Sequence, residues 1–112
     1  MSHQITTQTN ITDKDLAINA LKIAGWNYRE SGSRLTVQSG PMTGASIDLT
    51  TGEISGDADL VNRGDDSMGA LKRYYGEALV RHHAATEGYE IENREIEQQT
   101  GDIILHCTAH FA

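Results

Sequence analysis

The chain has 112 residues, enough for one domain with a core of its own, and 16 acidic against 9 basic residues give it a formal charge of -7. That balance repels nucleic-acid phosphates and anionic lipid headgroups and argues against nucleic acid and membrane surfaces as partners. A single cysteine, Cys107, excludes an intramolecular disulfide and suits a reducing cytoplasm, while no run approaches the ~20 apolar residues that span a bilayer.

The start, Met1-Ser2-His3-Gln4, shows neither the basic region nor the apolar core of a signal peptide. Residues 3–9, rich in β-branched threonine, predict an opening strand. The period then changes. Thr12 followed by Asp15 resembles a capping box, Ile11 is placed to staple onto Leu16, and a helix running through Leu16, Ala20 and Leu21 should stop at Gly25. From Trp26 the pattern is short strands between turns: 26–29, a turn at Ser31-Gly32-Ser33, 34–38, a loose stretch over 40–44, 45–49, a turn at 50–53, and 54–61. Asp65, Asp66 and Ser67 favour the N-terminal end of a second helix, which runs to about Glu87 and ends at Gly88. A closing hairpin of 89–98 and 102–111 turns at Gln99-Thr100-Gly101.

The order β-α-β-β-β-(β)-α-β-β implies a single α+β domain over residues 1–112: an antiparallel sheet with two helices packed on one face. In the second helix Leu71, Tyr74, Tyr75, Ala78, Leu79 and His82 recur at helical spacing. The expected core therefore places Leu71, Tyr75 and Leu79 against Leu105 and Phe111 of the last strand.

The start Met1-Ser2-His3, the segment Ile11-Thr12-Asp13-Lys14-Asp15 leading into Ala20-Leu21-Lys22, the glycine-aromatic stop at Gly25, and Leu71-Lys72-Arg73-Tyr74-Tyr75 followed by Gly88-Tyr89-Glu90-Ile91-Glu92 resemble the Ycf35-like (DUF1257) family. The middle of the chain, residues 29–64, carries little of this resemblance. Such proteins occur in cyanobacteria, plastids, other bacteria and cyanobacterial phages. The resemblance implies a cytoplasmic or phage-borne protein and supplies no catalytic residues.

Residue chemistry points away from catalysis. His82 and His83 point about 100° apart on a helix, and His106 and His110 lie about 13 Å apart along a strand, so neither pair has chelating spacing and no bound metal is expected. Cys107, between Leu105 and Ala109, reads as a small core residue with a thiol pKa raised by burial. Asp57 and Asp59, followed by Asp65 and Asp66, are the residues a metal-dependent hydrolase would use. Gly40-Pro41-Met42-Thr43-Gly44 lacks the lysine and helix of a phosphate loop and reads as a mobile turn. Tyr74 and Tyr75 fit the core stripe, Trp26 with Tyr28 reads as core or as a stacking surface, and Glu90, Glu92, Glu95 and Glu97 form a solvated acidic strand face.

The expected function is that of a non-catalytic adaptor or regulatory protein acting through protein contacts, without a cofactor. If a sheet edge is used to form a homodimer, it should be residues 5–9 or a neighbouring strand of the meander; a proline at Thr7 would test the first if the Thr7 amide points outward. The second reading is a small-ligand or nucleotide binder in which Arg73 or Arg81 meets an anionic group and Trp26 or Tyr74 stacks on a ring. The third is the hydrolase.

Overall fold

The structure is a computed structural model that describes residues 4–57 and 67–109. Its elements are β1 (Gln4–Gln8), α1 (Lys14–Ala24), β2 (Tyr28–Ser31), β3 (Arg34–Val37), β4 (Ser46–Asp48), β5 (Glu53–Asp57), α2 (Ser67–Glu87), β6 (Tyr89–Ile96) and β7 (Ile103–Ala109). Strands β2 to β5 form an antiparallel meander, and β1 closes on β5, giving the order β1-β5-β4-β3-β2. Strands β6 and β7 form a separate two-stranded sheet. The fold is mixed α+β, as the element order implies.

The five-stranded sheet has one wet and one dry face, the usual outcome for antiparallel strands whose residues alternate apolar and polar. Leu35, Val37, Ile47 and Ile54 point inward and are buried with Ala17, Ala20 and Leu21 of α1 and with Met68 and Leu71 of α2. On the other face Arg34 bonds Ser46 and Asp48, and Thr6 bonds Ser55.

Local chemistry explains the boundaries. The N-cap of α1 is Asp13, one residue later than the expected Thr12: the Asp13 carboxylate accepts from the Leu16 amide at 3.1 Å. The Asp13 amide donates to the Tyr75 hydroxyl at 3.3 Å, so α2 helps to seat the start of α1. With Asp13 as the cap, Ile11 no longer stands at the stapling position before it; it is buried in the core, and Gly25 takes the left-handed conformation that ends the helix. The 40–44 stretch is not the mobile turn its glycines suggest. Met42 is fully buried, and the Val37 amide donates to the Ala45 carbonyl and the Gly44 amide to the Val37 carbonyl, which pins the loop to the core.

Gly52 holds β1 in place. Its carbonyl accepts from the Thr9 amide at 3.0 Å, its φ is +81°, and a Cβ there would overlap the Thr9 carbonyl oxygen. Gly52→Ala is expected to cost about 2 kcal/mol or more, since the left-handed penalty alone is ~1 to 2 kcal/mol. Gly76, inside α2 with open space where its Cβ would stand, is the opposite case, and Gly76→Ala should add about 1 kcal/mol. Thermal denaturation of the two variants checks both signs.

The structural role of α2 differs from the expected one. It is gripped on two sides, by α1 and the sheet through Leu71 and Ala78 and by the hairpin through Glu77 and Ala84, so its buried arc is turned away from Leu79. Leu79 is 39% exposed, Tyr75 is half-buried, and Leu71 enters the main core rather than meeting Leu105. Phe111 lies outside the described residues, as do His3, His110, Asp59, Asp65 and Asp66. The far half of α2 and the hairpin project as an arm. The molecule measures 58 × 35 × 21 Å with a radius of gyration of 15.1 Å, against about 13 Å for a globule of this length.

Candidate interaction surface on the helix-hairpin arm

A two-stranded hairpin has too little core to hold itself, so its position depends on what it packs against. Its helix-facing side presents Ile103 and Leu105 to α2, together with one charged side chain, Arg94. Beneath Arg94 lies Glu77, whose side chain is 1% exposed. The Arg94 Nε donates to both Glu77 carboxylate oxygens at 3.0 Å, and its Nη2 stands 2.9 Å from Oε1. One helical turn along, Arg81 donates from Nε to Oε2 at 2.9 Å and also brings Nη2 to 2.9 Å. Burial pushes the Glu77 carboxyl up, but the hydrogen bonds and charges of the two arginines outweigh it and hold its pKa below the ordinary 4.5. The Glu77 hydrogen bond in turn makes Arg94 hold its proton more tightly. Two guanidinium groups share one carboxylate, leaving the cluster with an excess positive charge.

The candidate ligand residues do not form one cluster. Trp26 and Tyr74 meet edge to face with ring centres 6.2 Å apart, at the margin of the core. Arg73 sits beneath the hairpin turn beside Gly101, and Arg81 is engaged by Glu77. The arrangement makes one aromatic pair, Trp26 with Tyr74, beside the core, and one ionic cluster, Arg94, Glu77 and Arg81, between helix and hairpin. Glu77 and Arg94 were missed in sequence because a charged residue on an amphipathic helix is assigned to water by default. Glu77 and Arg81 stand four apart on the helix, a visible pairing, but no signal of sequence brings in Arg94.

The remaining candidates are dispersed. The His82 and His83 rings lie 6.1 Å apart and splayed, and His106 approaches Glu95 across the hairpin at 3.4 Å. Among the described residues no group of histidine, cysteine, aspartate and glutamate side chains is arranged to hold a metal ion. Asp57 ends β5, and its companion Asp59 falls outside the described residues. Cys107 is exposed rather than buried. The reason is that β7 lies in a ribbon packed against α2 on one side, and around Cys107 that helix offers Val80, His83, Ala84 and Glu87, which line an open groove rather than a closed core.

Several open grooves flank α2, among them one of about 590 Å³ against the hairpin, lined by Gly76, Val80, Ile103 and Leu105, and two more. One, of about 480 Å³ between the helices, is lined by Asn19, Lys22, Ile23, Ala78, Arg81 and His82. The other, of about 240 Å³ near the far end of the arm, is lined by Val80, His83, Ala84, Glu87, Tyr89 and Cys107. Val80 is 44% exposed, and among the described residues Leu79, Tyr89, Ile96 and Ile104 are the other large apolar side chains left open, all on the arm. No helix among the described residues is long and apolar enough to cross a membrane. No family model, curated protein or solved structure matches the chain.

Proposed function

We propose that this protein is a non-catalytic binding module that acts through protein contacts made by the helix-hairpin arm. The observation that carries the reading is the concentration of exposed apolar side chains, Leu79, Val80, Tyr89, Ile96 and Ile104, on a part of the molecule that stands clear of the main core. The acidic strand beside them, with Glu90, Glu92, Glu95 and Glu97, favours a partner whose apolar patch is ringed by lysine and arginine. The exposed Cys107 thiol fits a reducing, cytoplasmic setting, and membership of the Ycf35-like family belongs to the same proposal.

Val80→Asp places a charge in the arm groove at a position already open to water, so folding stability should change by less than about 0.5 kcal/mol. Purified from its native source, the unaltered protein should retain a stoichiometric partner that the variant loses. A partner held equally by both, or by neither, rejects the arm as the binding surface. The second reading, a binder of small anionic ligands, rests on the groove where Lys22, Arg81 and His82 converge. Calorimetric titration with a nucleoside phosphate tests it, and Lys22→Ala should abolish any heat that is specific.

A further inference from the structure

Strand β1 is an edge strand, and which of its backbone groups are free follows from its pairing. Its partners are Gln4↔Asp57, Ile5↔Gly56, Thr6↔Ser55, Thr7↔Ile54 and Gln8↔Glu53. One step beyond, the Thr9 amide donates to the Gly52 carbonyl. In an antiparallel ladder the residues that direct N–H and C=O to the partner strand alternate. The amides of Thr9, Thr7 and Ile5 therefore turn toward β5, and those of Gln4, Thr6 and Gln8 turn to the open edge. The expectation that a proline at Thr7 would remove an outward amide is thus corrected: Thr7 donates into the sheet, and the outward donor is Thr6.

Two of the other edges are guarded by charge, while β7 of the hairpin, Ile-Ile-Leu-His-Cys-Thr-Ala, has no lysine, arginine, aspartate or glutamate but belongs to the arm. The far edge of the same sheet, β2, carries Arg29 and Glu30, and β6 carries Glu90, Glu92, Arg94 and Glu95. Such charges discourage strand addition, whereas the β1 sequence Gln-Ile-Thr-Thr-Gln has none, and no proline or glycine interrupts it. We propose that β1 pairs with β1 of a second copy of this chain, antiparallel about a two-fold axis through Thr6. This names a partner at a surface separate from the arm, and it does not depend on what the arm binds.

The geometry makes the second copy the fitting occupant. With the axis at Thr6, Thr6 faces its own equivalent and Gln4 faces Gln8, so all three outward residues find reciprocal donors and acceptors, with no like charges opposed. The contact is isologous and closes at two chains, joining two five-stranded sheets into one. The polar face bearing Thr6 and Ser55 continues across the junction, with the helices of both copies on the opposite face.

Sedimentation equilibrium at micromolar concentration tests the pairing. The unaltered protein is expected to be a dimer. Thr6→Pro, which deletes the outward donor at an edge position that tolerates proline, and Thr6→Lys, which opposes two charges at the axis, should each give a monomer with unchanged circular dichroism. If Thr6→Pro loses its fold, Thr6→Lys decides alone. A monomeric parent, a series of higher oligomers, or a dimer that survives Thr6→Lys overturns the proposal. Val80→Asp separates the two surfaces: it should leave the dimer intact, and dissociation by that variant would move the interface to the arm.

Discussion

Replacing Glu77 with alanine is expected to destabilise the protein by about 3 kcal/mol, the low end for breaking a buried ion pair, because Arg81 and Arg94 are 41% and 33% exposed and rehydrate in part. The loss should be of a particular kind. Glu77 is the polar anchor between α2 and the hairpin, and without it Arg94 loses the carboxylate that holds it against the helix. Glu77→Gln should recover only part of the loss, since an amide offers one acceptor oxygen to two guanidinium groups. In the background of Arg94→Leu the cost of Glu77→Ala should shrink, and urea denaturation of the four proteins in that cycle measures the coupling. The same contact sets an acid dependence. The folded pKa of Glu77 lies below its unfolded value, so its contribution is complete above about 4.5 and drains away as pH falls through the folded value. Glu77→Gln should flatten that part of the stability profile.

The second large effect belongs to the main core. Leu35 is fully buried opposite Ile47, and Leu35→Ala should cost ~4 kcal/mol, through lost transfer energy together with a cavity that the rigid meander cannot collapse. Leu79→Ala should cost about 1 kcal/mol or less, because that side chain is already 39% exposed. The ratio between two leucine truncations in one protein is the measurement. Equal costs would mean that the Leu79 face of α2 is covered in solution.

These numbers also mark where local pattern carries structural information. The strand alternation over 34–37 and 46–48 and the glycine stop at Gly25 are consequences of backbone geometry and solvent, and both were legible from neighbouring residues. The assignment of Leu79 to the core failed because a helix gripped from two sides buries two arcs, and its spacing cannot say which arcs they are. Met42 failed for a related reason: glycines at 40 and 44 supply turn conformations but do not report that the residue between them is driven inward. The candidate site was the least legible part. It depends on Arg94 reaching Glu77 from 17 residues away, and that long-range pairing leaves no periodic trace.

The pairing of β1 with β5 has a consequence in time as well as in space. β1 is synthesised before α1 and the whole meander, and it has no strand to add to until Glu53–Asp57 has emerged. Throughout that interval an uncharged β-forming segment waits in the nascent chain while α1 and the β2-β3 hairpin, whose contacts are local, are already able to form. Closure of the first strand is then among the last events of sheet assembly. A nascent chain that has emerged from the ribosome only as far as Gly52 would carry β2, β3 and β4 with its opening segment still unpaired, the species most exposed to capture by a neighbouring chain on the same message.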